Sequence, residues 1–531
     1  MSEPSFLKIN QIAPTENTGV IVAALDMGSN SFHLVVARGH GHNNFEVLLK
    51  EKVMMRLGDE VAQNKVISNE SAKLIKETVA TMASLASGVG ASEMVALATA
   101  AFRDARNAGI IVDDLEETLG IKVSVISGQK EAELIWNALT HGVDFNGEMV
   151  IGADLGGGSM EITAGTQDAL AYAKSFAVGV GRLTTQFSSS KAPSGIDSKS
   201  LRSHLEATLA NELLTVKSEI VPTTLILSSG SFLNIARMAL LRTSRAQWEN
   251  TSINQAEIAI SQLRSICSDL TKLDQKSRSK LYGIDEKRID LLPAGAEVLG
   301  LLLDTLKPAR VITSEWALRE GIILRELSQR SETEFEGSPE SIKLASLTSV
   351  AARYGWNEGH SRQVANLGLE IFDQTKGLHN LGDSDRELLY LAALVHDIGE
   401  YISVEGHDRH GAYLLENSRL PGFNKDERNE LLSIVRYHRR GTPKSDYGPF
   451  GELTKARAIV VTKLAAILRL GDALDRSHSR IVEKCRIVTN STQVLLFVTS
   501  PTKIELEEYG LRRKRQLFED TFNREVHLIQ E

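Results

Sequence analysis

Residues 149–163, MVIGADLGGGSMEIT, predict a short apolar strand, a glycine-rich turn and a second strand. Asp154 ends the first strand and Glu161 lies in the second, so two carboxylates flank a loop with almost no side chains. Glycine lets a backbone approach a ligand closely and point its N–H groups at it. Carboxylates beside such a loop suggest a metal ion that bridges them to an anion, with phosphate the best candidate. An ordinary β-hairpin with a glycine turn explains the same residues, so this stretch alone leaves both interpretations open.

The same pattern occurs a second time, near the start of the chain. Residues 24–37, ALDMGSNSFHLVVA, match residues 152–165, GADLGGGSMEITAG, in the order strand, Asp-x-Gly-x-x-Ser, strand. The two aspartates are 128 positions apart (154 − 26). Repetition of this kind predicts two similar α/β halves that face each other across a cleft. One phosphate would then lie between two loops, formed by Gly28, Ser29, Asn30 and Ser31 and by Gly156, Gly157, Gly158 and Ser159.

Two further segments have the composition of anion sites. Arg103 follows a short predicted strand, and its guanidinium could form paired hydrogen bonds to phosphate oxygens. Ser229, Gly230 and Ser231 lie between a predicted strand and a helix, where unpaired N–H groups attract anions. A surface arginine beside Asp104 and a plain turn are the alternative explanations.

Glu131 begins a predicted helix just before the second hairpin. Phosphoryl transfer to water requires a base or an orienting group, and Glu131 could reach the floor of the cleft from this position. A carboxylate in the first turn of a helix also offsets the helix dipole, and spacing alone favours that simpler explanation. His33 occupies the position that Glu161 has in the other copy, so it faces either the cleft or the core.

The composition is that of a soluble globular protein with several domains. The chain has 531 residues, of which 42% are hydrophobic and 24% charged. Its two cysteines, Cys267 and Cys485, are far apart, which argues against a disulfide framework or a cysteine zinc site and fits a reducing cytoplasm. No long apolar run or basic-then-apolar leader is present, so we expect a cytoplasmic protein without a membrane partner. The net charge of −8 gives no general attraction for nucleic acid, so any phosphate-rich ligand must bind through local loops, cations and basic clusters.

Changes in pattern divide the chain into six segments. The boundary after the second half is a charged stretch without apolar periodicity, SQRSETEFEGSP. The predicted segments are a loose leader (1–18), a first α/β domain (19–145), a second α/β domain (146–327), a linker (328–339), a helical domain (340–478) and a small α+β segment that ends in a basic helix (479–531).

The helical segment concentrates histidines in a recognisable spacing. The pattern H…HD…D on helices is typical of metal-dependent phosphohydrolases, in which imidazoles and carboxylates hold a divalent cation. A scaffold whose histidines bond to helices, or line a phosphate groove, is the alternative. The candidate residues are His360, His396, Asp397, His410, His438 and Asp472, with His407 in the same region.

In combination, these segments resemble the exopolyphosphatase/guanosine pentaphosphate phosphatase (Ppx/GppA) family. The resemblance covers nearly the whole chain and includes the longer members with a C-terminal HD-type domain. It implies a duplicated actin-like (ribonuclease H-like) ATPase fold with two α/β domains and a cleft, then an all-α HD-type domain and a small C-terminal α+β segment. Besides the two hairpins, the matching segments are ATAAFRDARNA, ISGQKEAELIW, VGVGRLT, LSSGSFLNIAR, LPAGAEVLG, WALREGIIL, ARYGW, LVHDIGEYIS and RYHRRGTP.

The resemblance also implies roles for individual residues. The expected reaction is Mg²⁺-dependent release of the terminal phosphate of inorganic polyphosphate, or of the 5′ γ-phosphate of guanosine pentaphosphate (pppGpp). Glu131 would be the general base, Asp154 and Glu161 would hold Mg²⁺ or Mn²⁺, and Arg103 would bind the terminal phosphoryl group. Gly156 and its neighbours would bind phosphate. A second divalent metal at the HD-type site and a homodimer complete these expectations.

The sequence departs from the family pattern at two positions. Lys130 stands where a second acidic residue is common, which leaves Glu131 as the base candidate. Met160 replaces a small polar residue beside Glu161, and strand alternation directs its side chain into the core. Neither change removes a required group.

The residues are compatible with more than one function. An exopolyphosphatase is the leading hypothesis, and a pppGpp phosphohydrolase shares its chemistry with a different substrate. A sensor that binds (p)ppGpp or ATP without turnover belongs to a different class. A sugar kinase on the same fold is disfavoured because no separate sugar-binding segment is evident.

Overall fold

The fold is described from a computed structural model, which covers residues 19–39, 45–249, 251–330, 339–418, 420 and 422–531. The predicted leader and most of the predicted linker, residues 331–338, lie outside the described residues. No helix within these ranges is both long and apolar enough to cross a membrane.

The first half is a five-stranded mixed sheet, in the described ranges, with helices on its faces. Its strand order is β3-β2-β1-β4-β5; β1, β2 and β3 are antiparallel, and β4 and β5 run parallel to β1. The elements are β1 (Ile21–Met27), β2 (Ser31–Gly39), β3 (Phe45–Met54), α1 (Leu57–Asn64), α2 (Asn69–Gly88), β4 (Met94–Ala98), α3 (Ala100–Asp104), α4 (Ala108–Leu119), β5 (Val123–Val125) and α5 (Gly128–Gly142).

The second half repeats this sheet within the described residues. Its order is β10-β9-β6-β7-β8, with the same pattern of parallel and antiparallel neighbours. The elements are β6 (Val150–Leu155), β7 (Met160–Gly165), β8 (Leu170–Phe176), α6 (Val180–Gln186), α7 (Ser198–Ile220), β9 (Thr224–Ser228), α8 (Gly230–Thr243), α9 (Arg245–Trp248), α10 (Ile260–Lys272), α11 (Gln275–Arg278), a 3-10 turn (Glu286–Arg288), α12 (Leu292–Leu306), β10 (Arg310–Thr313) and α13 (Leu318–Arg330).

The strand registers confirm the internal repeat. Asp26 pairs with His33 across β1 and β2, and Asp154 pairs with Glu161 across β6 and β7. The two hairpins therefore present equivalent residue pairs at equivalent positions. This equivalence follows from the period of two along a strand, which the sequence pattern already contains.

Helix α13 returns to the first half, although it follows the second in sequence. Ile322 and Ile323 are buried in one hydrophobic cluster with Val22 and Leu134, which belong to β1 and α5. A Cβ atom added at Gly321 would lie 1.9 Å from the Leu134 carbonyl oxygen, so only glycine permits this close crossing of α13 and α5. The crossing places the start of α13 at the cleft.

The C-terminal region forms one body with its own core. Buried residues from Leu347 to Val526 belong to a single hydrophobic cluster, which joins the helices to the strands that follow them. The elements are α14 (Pro339–Arg353), α15 (Glu358–Gln374), α16 (Lys376–His379), α17 (Asp383–Val395), a 3-10 turn (Ile398–Tyr401), α18 (His407–Glu416), α19 (Lys425–Tyr437), α20 (Gly448–Gly451), α21 (Lys455–Ala473), β11 (Lys484–Thr489), β12 (Gln493–Thr499), α22 (Glu505–Lys514), α23 (Gln516–Phe522) and β13 (Glu525–Gln530).

The prediction that a basic helix ends the chain is wrong. The basic helix is α22, and it is followed by α23 and by strand β13, which runs parallel to β12. The alternating segment EVHLIQ forms this strand because Val526 is fully buried in the shared core while Glu525 stays exposed.

Candidate active site

The two glycine-rich loops pack directly against each other. A Cβ atom added at Gly157 would lie 2.8 Å from Asn30 Cβ, and one at Gly158 would lie 2.3 Å from Ser29 Oγ. The predicted facing loops are therefore in contact, and glycine is required here for close approach of the backbones. The predicted residues of both loops, from Gly28 to Ser31 and from Gly156 to Ser159, line one cleft between the halves.

Four carboxylates also line this cleft: Asp26, Glu131, Asp154 and Glu161. Ser228 Oγ donates to Asp154 Oδ2 at 2.6 Å, and Ser175 Oγ donates to Glu161 Oε1 at 2.6 Å. Asp26 was not among the predicted site residues, although it is the equivalent of Asp154. Its Oδ1 is buried and has no hydrogen-bond partner among the described residues.

Burial and mutual repulsion disfavour the ionised forms of these carboxylates. Burial raises the pKa of Asp26 to about 7 and that of Asp154 to about 6, and the nearby positive charge of Arg319 only partly opposes this. The pKa of Glu161 lies well above its ordinary value because of burial and the charges of Glu131 and Asp154. A cation among them would relieve the repulsion.

The arrangement suits Mg²⁺ better than a metal enclosed by protein ligands alone. In the described ranges, the groups of at least three potential ligands within 4.8 Å of one another all lie in the C-terminal region. The cleft carboxylates are therefore too dispersed to enclose an ion by themselves. Mg²⁺ normally takes one or two carboxylates and completes its shell with water and substrate phosphate oxygens. The unpartnered Oδ1 of Asp26 is the kind of ligand atom that such an ion needs.

Glu131 lies in the first turn of α5, and Ser127 caps this helix through a hydrogen bond to the Lys130 N–H. Arg103 Nη1 donates to Glu131 Oε2 at 2.7 Å and to the Ile126 carbonyl at 3.0 Å. Burial, together with the charge of Asp154, raises the pKa of Glu131, and Arg103 opposes this rise. Arg103 thus contacts the cleft through Glu131 and is not itself among the residues that line it, and its direct contact with phosphate stays a prediction.

Cationic side chains line the cleft as well, and the sequence analysis did not single them out. They are Lys50, Lys52, Arg288 and Arg319. Burial and the neighbouring charge of Arg288 lower the pKa of Lys52 to about 8. These residues come from β3, from the turn before α12 and from α13, so no local motif connects them. Together they give the cleft a local positive charge that attracts a polyanion, although the net charge of the chain is negative.

His33 lines the cleft, which answers the question left open by the sequence. Arg319 Nη1 lies 3.1 Å from His33 Nδ1 and is a donor, so Nδ1 accepts. The ring proton is then on Nε2, which lies 2.7 Å from Ser31 Oγ. Burial and the charge of Arg319 lower the pKa of His33 to about 2, so the ring is neutral and orients both the arginine and the loop.

The Ser229–Ser231 segment lies at the N-terminus of α8 and lines the cleft, as predicted. Ser229 has a φ of 70°, an unusual conformation for a residue with a side chain. Ser231 Oγ is buried without a hydrogen-bond partner in the described structure, as is Ser29 Oγ on the facing loop. These unpaired hydroxyls, like the Asp26 carboxylate, are available to a bound ligand.

The C-terminal region brings five of the six predicted HD-type residues together. Ligand atoms lie within 4.8 Å of one another in three groups: His360, His396 and Asp472; His360, Asp397 and His478; and Asp397, His407 and His438. His410 is in none of these groups, and His478 was not predicted. His407 lies one helical turn earlier on α18 and takes the place that was predicted for His410.

Comparison with known proteins identifies the family of this chain. Residues 34–330 match the model of the Ppx/GppA phosphatase family, and residues 342–523 match that of Ppx/GppA phosphatase, domain III. The chain belongs to the Ppx/GppA phosphatase family. These two matches cover both halves of the cleft and nearly all of the C-terminal region.

Named relatives fall into two groups. Exopolyphosphatase 1 of Mycobacterium tuberculosis is 27% identical over 311 residues, which are 59% of this chain and 89% of the relative. The guanosine-5′-triphosphate,3′-diphosphate pyrophosphatase of Pseudoalteromonas translucida is 25% identical over 471 residues, 87% of this chain and 88% of the relative.

Solved structures agree with the fold of the N-terminal region. An exopolyphosphatase from Cytophaga hutchinsonii has a TM-score of 0.53 at 22% identity and covers 60% of this chain and 99% of its own. An Aquifex aeolicus member of the Ppx/GppA family has a TM-score of 0.51 at 22% identity, covering 59% and 99%. The two N-terminal halves thus have the actin-like ATPase fold.

Proposed function

We propose that this protein is a Mg²⁺-dependent exopolyphosphatase, which releases terminal orthophosphate from inorganic polyphosphate. The observation that carries the proposal is the composition of the cleft. Two touching glycine loops lie beside four buried carboxylates, and four cationic side chains line the same space. This combination serves a reaction in which a polyanion is positioned next to a divalent cation and a base.

Asp154, Glu161 and Asp26 are the residues that would hold Mg²⁺. The ion, when bound, supplies positive charge to the phosphate oxygens during transfer. Asp26 contributes an unpartnered oxygen, whereas Asp154 and Glu161 are held in place by the hydroxyls of Ser228 and Ser175. The high pKa values of these carboxylates are consistent with a site that is stable only when a cation offsets their charge.

Glu131 is the proposed general base. It accepts a proton from the attacking water, the water oxygen forms a bond to the terminal phosphorus, and the bridging P–O bond breaks. The shortened polyphosphate leaves with the electrons of that bond. A raised pKa makes Glu131 a better proton acceptor near neutral pH, and Arg103 holds its carboxylate in one position.

The loops and the cations position the substrate. N–H groups and hydroxyls of the two loops would bind the terminal phosphoryl group, together with the N-terminus of α8. Arg319, Arg288 and Lys52 would neutralise the phosphates that follow along the chain. The hydrolysis of pppGpp uses the same groups on a substrate with only three phosphates at its 5′ end.

A pppGpp 5′-phosphohydrolase is the second candidate, and one specific observation favours it. The relative whose match includes the C-terminal region, with 87% of this chain covered, is named for that activity. The relative named exopolyphosphatase matches only 59% of the chain. A cytoplasmic location and a homodimer belong to the same proposal, and light scattering of the purified protein tests the dimer.

The decisive experiment compares phosphate release from long-chain polyphosphate and from pppGpp, with Mg²⁺ present. Turnover confined to pppGpp would overturn the exopolyphosphatase proposal in favour of the second candidate. Binding of either compound without any phosphate release would favour a non-catalytic sensor.

Glu131→Gln tests the base directly, and Glu133→Gln is its matched control on the same helix. We expect Glu131→Gln to lower kcat by about 100-fold or more, since a positioned base contributes about that factor. Glu133 is paired with Lys130 at 3.2 Å and does not line the cleft, so its variant should keep full activity. Equal activity of both variants would remove Glu131 from the mechanism.

A further inference from the structure

His33 uses both of its ring nitrogens for hydrogen bonds inside the cleft. Arg319 Nη1 lies 3.1 Å from Nδ1, and Ser31 Oγ lies 2.7 Å from Nε2. All three side chains line the cleft. A guanidinium contains donors only, so Nδ1 accepts from Arg319. The ring proton is therefore on Nε2, and Ser31 Oγ accepts it.

The direction of the second hydrogen bond decides what Ser31 offers to a ligand. A serine hydroxyl has one proton and two lone pairs. Because one lone pair of Ser31 Oγ accepts from His33, the proton of the hydroxyl is left for another acceptor. Among the described residues, His33 is the only partner of Ser31 Oγ. The hydroxyl thus presents a hydrogen-bond donor to an anion in the cleft.

The second copy of the repeat arranges the equivalent hydroxyl in the opposite way. Glu161 stands two residues after Ser159, just as His33 stands two residues after Ser31. Burial raises the pKa of Glu161, and a hydrogen bond from Ser159 partly opposes this rise. An ionised carboxylate only accepts, so Ser159 gives its proton to Glu161 and keeps lone pairs for a ligand. Of the two loop hydroxyls, Ser31 is the one that retains a proton to donate.

The same imidazole also holds Arg319, which is fixed from a second side. Arg319 Nε lies 4.0 Å from Glu320 Oε2. Glu320 is itself held by Lys50 Nζ at 3.1 Å and by the backbone N–H of Ala317 at 3.2 Å. In the described part of the chain, Arg319 Nη2 has no hydrogen-bond partner. This nitrogen is therefore available to a second anionic group.

We propose that His33 is a positioning residue with two separate roles. Through Nε2 it fixes Ser31 Oγ as a donor to the terminal phosphoryl group, and through Nδ1 it holds Arg319 for the phosphates that follow. Both roles rest on the proposed function, whereas the two hydrogen bonds exist without a substrate. A contact with the reacting group acts on kcat, and uniform binding of remote phosphates acts on KM. The two roles therefore have separable kinetic effects.

Two amide variants separate these roles, since each amide replaces one ring nitrogen. In His33→Gln the amide N–H group takes the place of Nε2 and still donates to Ser31, but Arg319 loses its acceptor. In His33→Asn the amide oxygen takes the place of Nδ1 and still accepts from Arg319, but Ser31 loses its donor.

We expect His33→Gln to raise KM for polyphosphate about tenfold and His33→Asn to lower kcat about tenfold, as the loss of one hydrogen bond would. The other parameter should stay within about threefold of the wild-type value in each variant. A merely structural histidine would give the same losses in both variants. That result, or any other that lacks this split, would overturn the proposal.

His527→Gln is the control variant, because His527 lies on β13 with a side chain that is 42% exposed and is not part of the cleft lining. It should keep the kcat and KM of the wild type. A loss in this variant as large as in the His33 variants would contradict a specific role for His33.

Nitrogen-15 NMR of the histidine-labelled wild type tests the hydrogen bonds without any variant that must stay active. The His33 signals are those that disappear in His33→Gln. We expect a neutral ring with its proton on Nε2 at neutral pH. A ring with its proton on Nδ1, or with both nitrogens protonated, would overturn the proposal even if the variants fail to fold.

Calorimetry with tripolyphosphate separates this proposal from the proposed function. A wild type that hydrolyses neither polyphosphate nor pppGpp would refute the proposed function. Even then, His33→Gln should bind tripolyphosphate about tenfold more weakly than the wild type, because Arg319 is no longer held. Unchanged affinity in His33→Gln would overturn the role of His33.

Discussion

At the scale of single residues, the ionised carboxylate of Asp26 is unfavourable in the folded protein unless a ligand compensates for its burial. It is the structural equivalent of Asp154, and its Oδ1 is buried without a partner. Burial raises its pKa to about 7. In the metal-free folded protein, ionisation of Asp26 therefore costs free energy, because the carboxylate is buried. In the unfolded chain the carboxylate is hydrated and this cost is absent.

Asp26→Asn should accordingly stabilise the metal-free protein at high pH. Between about pH 4 and pH 7 the folded state retains a proton that the unfolded state has released, so wild-type stability falls as pH rises through this window. At pH 8, with chelator present, we expect the variant to gain on the order of 4 kcal/mol in the free energy of unfolding. The gain should be small at pH 4, where the folded state keeps its proton and the unfolded aspartate is only about half ionised.

Urea unfolding of both proteins at pH 4, 6 and 8 measures this effect. Mg²⁺ should reverse the order at pH 8, because it stabilises the wild type more than the variant. A variant that is less stable than the wild type at pH 8 without metal would show that the negative charge of Asp26 does not destabilise the folded protein.

At the scale of elements, the cleft depends on how closely two turns approach. Val180 N and Gly181 N, at the start of α6, donate to the carbonyls of Gly156 and Gly157 and attach the second loop to this helix. Asp59 of α1 accepts from Thr185 Oγ1 at 3.2 Å, and Asp104 pairs with Arg182. The loops are therefore fixed by contacts between the halves and cannot be regarded as isolated hairpins.

Gly158→Ala should separate the two loops. Its Cβ would lie 2.3 Å from Ser29 Oγ and 2.9 Å from Ala100 Cβ, so one backbone must shift. We expect a loss of about 1–3 kcal/mol in stability, typical of overpacking. Phosphate release should fall at least tenfold, because a small displacement misaligns the reacting groups.

The control for this variant is Gly109→Ala on α4, where an added Cβ meets nothing within 4 Å. It should raise stability by at most about 1 kcal/mol through its better helix propensity and leave activity unchanged. Thermal unfolding and phosphate release are measured on both. Full activity in Gly158→Ala would mean that the contact between the loops does not position the substrate.

At the scale of the whole molecule, the C-terminal region contacts both halves of the cleft. Arg353 Nη2 lies 3.0 Å from Glu46 Oε1 on β3, and Lys425 Nζ lies 5.0 Å above the ring of Trp248 on α9. These contacts are polar and partly exposed, while the hydrophobic core of the C-terminal region is separate from the cores of the halves. The region is thus attached to the cleft without forming part of it.

A chain truncated after Arg330 should therefore fold and retain the chemistry of the cleft. Helix α13 ends there, and the Mycobacterium tuberculosis relative matches this chain over a comparable 311 residues. We expect kcat for phosphate release within about tenfold of the full-length value, because polar contacts of this kind contribute little individually. KM for long substrates should change most.

Circular dichroism and phosphate release on the two chains measure this prediction. An unfolded truncated chain, or one that is folded and wholly inactive towards every phosphate substrate, would show that the C-terminal region supplies part of the catalytic cleft.

Much of the cleft could be predicted because its residues are local to two repeated hairpins. Asp154 and Glu161 become neighbours through strand pairing alone, and the repeat in the sequence already indicates a second hairpin with Asp26 and His33. The expected roles of these residues, and of Glu131 and Arg103, stay predictions. Asp26 was missed, as were the four cationic residues of the cleft, but it could have been found by extending the repeat from the loop to the carboxylate itself.

What the sequence by itself determined is the duplicated pair of hairpins, since the period of a strand and the freedom of glycine act over a few residues. Only the tertiary structure decided which distant side chains join them. Arg319 reaches the cleft because α13 crosses back over α5 at Gly321. His407 and His410 share a face of α18, so periodicity could not distinguish them. The start of α18 packs against Gly399, where an added Cβ would lie 2.0 Å from the His407 carbonyl, and that contact brings His407 to Asp397. Contacts between elements remote in sequence depend on the packing of whole surfaces, which no local pattern contains.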